Sequence, residues 1–191
     1  MYTTLLTDAT LYAALTAIDQ DLAAAAHADG CRRCRGRLHC GDYPRKPRGG
    51  PAGLPASYEK RTSFCCAQCR KRRTPPSVRF LGRREYLAAV VVLACVLRQG
   101  PTPWRVGRLW DLLGVSPDTL ARWHRWWRDA FVRTPFWRAA RSRFARPVET
   151  GDLPRALLAR FAGDALAPMV AMLRFLSPLT TATSTVGEAA G

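Results

Sequence analysis

The stretch Cys31-Arg32-Arg33-Cys34, followed after 31 residues by Cys66-Ala67-Gln68-Cys69, decides how this chain reads. A C-x-x-C spacing lets two thiolates on one tight turn grip the same metal ion. Two such knuckles supply four sulfur ligands, and a tetrahedral sulfur set selects zinc over other common ions. The spacer is longer than is typical between knuckles, but doubling a loop costs only about 0.6 kcal/mol. The predicted metal ligands are therefore Cys31, Cys34, Cys66 and Cys69, holding Zn2+.

The neighbouring donors leave one alternative open. Cys65 adjoins Cys66 and could replace it; Cys66 is preferred because it reproduces the spacing of the first knuckle. His39 and Cys40 lie within reach but could enter a four-ligand site only by displacing another ligand. His27 reads as a helix-end residue, and Cys95, inside an apolar run, as a small buried hydrophobe. Gly36, two residues past Cys34, suits a turn where a Cβ would be in the way.

Outward from the knuckles, charge is the outlier. The 191 residues carry a net charge of +16, with 27 Arg against 3 Lys. Residues 1–30 hold four acids and no Lys or Arg, whereas residues 31–84 are net +14 and residues 85–146 net +7. A basic block of that density is the footprint of a polyanion, and arginine binds phosphate in a forked geometry and stacks on bases. The plainer alternative is a solvated surface. Acids and no basic n-region in the first thirty residues argue against a secretory signal. The longest apolar run, Leu87 to Leu97, is too short to span a bilayer. Together these predict a cytoplasmic, nucleoid-associated protein without a membrane partner, in a reducing setting where clustered cysteines favour metal over disulfides.

The periodicities predict a mainly α chain: a small zinc-ribbon β module followed by a helical bundle containing a helix-turn-helix. Residues 1–30 form an N-terminal helix, with Leu11, Leu15, Ile18 and Leu22 at helical spacing and Thr7 or Thr10 as cap. Packing against the rest is its first reading, and a docking site for a protein partner its second. Residues 31–76 form the ribbon, with strands near Leu38–Tyr43 and Arg61–Cys65 and a mobile basic loop from Pro44 to Pro55. Residues 77–146 form the helix-turn-helix domain. A buried helix spans 83–98 and ends at Gly100-Pro101. Val106, Leu109, Leu112 and Leu113 then mark one helix, Gly114-Val115 a turn, and Ser116-Pro117 the cap and first position of a second helix running to Phe131. Such a second helix enters the DNA major groove. Asp118, Thr119, Arg122 and Arg125 are its candidate base-contacting residues, and Arg70, Lys71, Arg72 and Arg73 the candidate phosphate contacts. Leu120, Trp123 and Trp127 face the core. Residues 135–145 add a helix with Arg138, Arg141, Arg143 and Arg146 outward. Residues 147–176 carry two further helices, 153–163 and 165–176, and residues 177–191 a disordered tail.

The order Cys31-x-x-Cys34, then Phe64-Cys65-Cys66-Ala-Gln-Cys69-Arg-Lys-Arg-Arg-Thr, then Ser77-Val78-Arg79-Phe80, then Leu113-Gly114-Val115-Ser116-Pro117-Asp118-Thr119-Leu120-Ala121-Arg122-Trp123, resembles the front end of zinc-ribbon insertion-sequence transposases. The resemblance covers residues 31–130 and implies DNA recognition. It departs where catalysis is concerned: such transposases cut with three carboxylates holding two metal ions. After residue 130 this chain has only Glu149, Asp152, Asp164 and Glu188, with no strand pattern around them. The expectation is a non-catalytic, zinc-dependent protein binding duplex DNA, a transposase-derived accessory factor or regulator. An RNA-binding or ribosome-associated ribbon is the alternative. No paired His and carboxylate, nucleophile motif or phosphate-cradling glycine loop suggests an enzyme.

Overall fold

The computed structural model describes residues 2–81, 86–97, 111, 114–164 and 166–181. After a short helix α1 (Tyr2–Leu5), helix α2 runs Ala9–Ala28. Its cap is Asp8 rather than Thr7 or Thr10: the carboxylate accepts the Thr10 N–H at 2.8 Å, satisfying one of the donors every helix start leaves open. Leu11, Leu15 and Ile18 are buried as the spacing predicts, and so are Tyr12, Asp19, Ala23 and Ala26. The acidic helix thus packs into the molecule. Asp19 reaches across to the Ser77–Arg79 segment, binding it from within the core.

The chain then forms short strands: β1 (Leu38–Cys40), β2 (Tyr43–Pro44), β3 (Lys60–Arg61), β4 (Phe64–Cys66) and β5 (Arg72–Arg73). β1, β4 and β5 make an antiparallel sheet with β4 central, Leu38 opposite Cys66 and Cys65 opposite both His39 and Arg72. β2 and β3 pair separately. The Pro44–Pro55 segment does not run free. Gly49, at φ +80°, lies so close to the next helix that a Cβ there would sit 2.8 Å from the Val90 side chain, and a Cβ at Gly50 would meet Leu87 at 2.9 Å. Two glycines let the loop backbone lie against a helix, which the Pro- and Gly-rich composition alone does not reveal.

Helix α3 (Ala88–Leu97) is the centre of the core, with every side chain from Ala88 to Val96 buried. It packs against α1 and against the later helices α4 (Pro117–Arg125) and α7 (Ala167–Leu176). Its Val90-Val91-Val92 run is helical because burial on all sides overrides β propensity. The expected first helix around Val106, Leu109, Leu112 and Leu113, the Gly100-Pro101 break, and the 83–85 start of the apolar helix lie outside the described residues. α4 is capped by Ser116, whose Oγ accepts the Thr119 N–H, with Pro117 in its first turn. Rather than continuing as one α-helix to Phe131, it gives way to a π-turn over Trp126–Ala130 and a 3-10 turn over Phe131–Arg133. Trp123, Trp127 and Phe131 all enter the core, Trp127 and Phe131 packing edge to face at 4.9 Å.

The remaining helices are shorter than the sequence pattern suggests: α5 (Pro135–Ala140) ends in a 3-10 turn, and α6 covers only Arg155–Leu158. α7 follows, with Pro168 in its first turn as expected. The start of the expected disordered tail is instead part of the fold. Ser177 is buried, a 3-10 turn continues to Thr180, and the Thr180 hydroxyl accepts the Ser77 N–H at 2.9 Å. Residues 182–191 lie outside the described residues. Among the described residues, no helix is long and apolar enough to cross a membrane.

Candidate metal centre and basic surface

The two knuckles are built alike. In the first, the Cys31 N–H donates to the Gly36 carbonyl at 3.0 Å and the Arg35 N–H to the Cys31 carbonyl at 2.8 Å. In the second, the Cys66 N–H donates to the Lys71 carbonyl at 3.0 Å and the Arg70 N–H to the Cys66 carbonyl at 3.1 Å. Each is closed by the residue just after its second cysteine in the left-handed region: Arg35 at φ +59° and Arg70 at φ +58°. Such a conformation costs a side-chain-bearing residue about 1–2 kcal/mol. Gly36 is therefore not the left-handed residue of its turn; its role is space. A Cβ there would lie 3.1 Å from Cys66 Sγ and 2.7 Å from Gln68 Oε1.

The turns meet at the end of the sheet. The sulfurs of Cys31, Cys34, Cys66 and Cys69 all lie within 4.8 Å of one another. Cys31 and Cys69 are 3.5 Å apart and Cys34 and Cys66 3.4 Å, far beyond a disulfide bond. A tetrahedron with metal–sulfur bonds of about 2.3 Å has edges of about 3.8 Å. The four cysteines are thus arranged to hold a metal ion. β4 resolves the choice between neighbours. Its side chains alternate, so Phe64 and Cys66 point inward with the cluster, while Cys65 lies on the other face with its thiol toward the Arg70 carbonyl. Cys40 reaches Asp42 instead, and His39 is exposed opposite Cys65. His27 is occupied by the Leu38 carbonyl at 3.0 Å and by the Phe64 ring. Cys95 is buried within α3.

The thiols are electrostatically uneven. Backbone N–H groups of Cys34 and then Arg33, acting against burial, bring the Cys31 thiol down to about 6. The Cys69 N–H leads the lowering of Cys66. At Cys69 the Lys71 N–H pulls downward, but burial and the three neighbouring sulfurs outweigh it and carry the thiol up to about 11. Four thiols this close cannot all ionise on their own account; a divalent cation among them removes that penalty.

The basic residues around the cluster fall into two groups. Arg72 donates to the Gly41 carbonyl at 2.9 Å and lies over the Tyr43 ring, and Arg73 donates to the Gly30 carbonyl and to Asp29 at 2.8 Å. Both are structural cross-links between the sheet and neighbouring loops. Arg61 and Arg79 are buried with partners of their own. Arg70 and Lys71 are exposed, and neither side chain has a partner among the described residues. The same holds for Arg32, Arg33, Arg35 and Arg37 around the first knuckle. The run Arg70–Arg73 predicted from the sequence is thus split by the fold, and the first knuckle supplies free cations that no motif singles out. Their only signal in the sequence is the local charge count.

On α4 the exposed side carries Asp118, Arg122 and Arg125. Thr119 does not join them. It is 7% exposed, and its hydroxyl sits within the cap, bonded to Ser116 Oγ and receiving Arg122 at 2.9 Å. Gly114, at φ +60°, provides the turn before this helix and accepts the Tyr86 hydroxyl. Compared with protein-family models, curated proteins and solved structures, the chain matches none.

Proposed function

We propose that this chain is a zinc-dependent, non-catalytic DNA-binding protein, a transposase-derived accessory factor or regulator. The observation that carries the reading is the meeting of Cys31, Cys34, Cys66 and Cys69 at one end of the sheet, ringed by exposed cations without internal partners among the described residues. Sulfur-only tetrahedral ligation favours Zn2+ among common ions. The ion would hold the two knuckles as one ribbon and fix Arg70, Lys71 and the first-knuckle arginines as a rigid cationic surface. Arg72 and Arg73 tie the sheet beside that surface to the neighbouring loops. The helix from Pro117 supplies the sequence-reading element, with Asp118, Arg122 and Arg125 toward bases and Ser116 and Thr119 setting its start.

Phosphate neutralisation releases counterions, so affinity for duplex DNA should fall linearly on a log–log plot as salt rises. Titrating the zinc-loaded protein with duplex DNA and, in parallel, with structured RNA at several salt concentrations tests this. Steep salt dependence with preference for the duplex supports the proposal. Binding that is flat with salt removes it, and preference for structured RNA replaces it with an RNA-binding function.

A further inference from the structure

Arg35 and Arg70 occupy equivalent places. Each follows the second cysteine of its knuckle, each donates its backbone N–H to the first cysteine's carbonyl, and each holds a left-handed φ within a degree of the other. This is the position at which glycine is free of strain. Both carry arginine instead, both side chains are exposed, and neither guanidinium has a hydrogen-bond or ion-pair partner among the described residues. Strain retained without an internal return clusters at functional positions.

We propose that Arg35 and Arg70 are a matched pair of phosphate-binding residues, one closing each knuckle of the cysteine cluster, that contact the backbone of a nucleic acid. The inference rests on the nucleic-acid reading above and adds to it which cations touch the polyanion. Neighbouring cations, Arg32, Arg33 and Lys71, leave no acidic side chain within either C-x-x-C turn to compete for the guanidinium. A phosphate diester matches such a forked donor bidentately.

The test uses the full chain loaded with zinc and a short mixed-sequence DNA duplex. It compares the wild type with the double variants R35G/R70G and R35K/R70K. Replacing arginine by glycine should raise the melting temperature by relieving both turns. It should also make the log–log salt slope of DNA binding shallower by roughly 0.9 for each phosphate that is no longer neutralised. The lysine variant, which keeps the charge and the strain, should keep most of the slope and show no rise in melting temperature. If the wild type binds with a steep slope and the glycine variant matches it, the pair makes no phosphate contact and the inference falls while the DNA-binding reading stands. If the wild type shows no salt dependence, both fall. Should the glycine variant lose its zinc, read as loss of bound ion by mass spectrometry, the arginines serve the metal centre and the inference is equally overturned.

Discussion

The Asp19 carboxylate, midway along α2, accepts the Arg79 Nε–H at 2.8 Å with the two side chains only 3% and 5% exposed. It also accepts the Ser77 hydroxyl at 2.5 Å and the Val78 N–H at 2.7 Å, while Arg79 donates onward to the Ser57 carbonyl and lies over the Tyr58 and Phe80 rings. The acidic N-terminal helix is thereby locked to the segment that links the sheet to α3. Removing one member of such a pair strands a buried charge. Asp19→Ala is therefore expected to cost about 3–5 kcal/mol, and Asp19→Asn less, because an acceptor oxygen remains. Urea denaturation measures both; a loss under about 1 kcal/mol, the range of surface pairs, would contradict a buried lock.

The split within Arg70–Arg73 yields a second expectation. Arg73→Ala removes bonds to Gly30 and Asp29 and should lower stability by about 1–3 kcal/mol. Lys71→Ala removes no side-chain hydrogen bond or ion pair among the described residues and should leave stability nearly unchanged while, on the proposed function, weakening DNA binding. Paired denaturation and binding curves check this; equal losses of stability in both variants would show that the two side chains are not distinguished by the fold.

Gly36 gives a third. An alanine Cβ would press against Cys66 Sγ at 3.1 Å, and that sulfur cannot yield without moving within the four-cysteine cluster. Overpacking of this kind costs about 1–3 kcal/mol, which, if it falls on the metal-bound state, is roughly five- to a hundred-and-fiftyfold in metal affinity. Gly41→Ala, whose Cβ would meet nothing nearer than 3.7 Å, is the control and should bind metal as the wild type does. Competition with a chromogenic chelator reads both, and equal affinities would contradict the close approach.

What can be read from the sequence is local. The knuckles, the Ser116 cap and the inward Leu120, Trp123 and Trp127 depend on spacings of two to four residues, and the structure has them. The C-x-x-C spacing already favours Cys66 over Cys65, and the structure places Cys66, not Cys65, with the other three sulfurs. The roles of Arg72, Arg73 and Asp19 depend on partners 9 to 60 residues away, which no local pattern encodes. The packing of the Pro44–Pro55 loop is hidden for the same reason: its glycines signal flexibility until Val90 and Leu87 are seen beneath them. The helical period puts Thr119 on the outer side, but capping draws its hydroxyl inward.

The most direct test of the metal centre is zinc bound per chain, measured by native mass spectrometry on reduced, folded wild-type protein beside Cys65→Ser and Cys66→Ser. With four sulfurs converging on one point, the wild type and Cys65→Ser should each hold one zinc ion, and Cys66→Ser should lose it or bind it far more weakly. A folded wild-type protein without zinc, or a Cys66→Ser variant that retains it as tightly as the wild type, would contradict the four-sulfur site on which the rest depends.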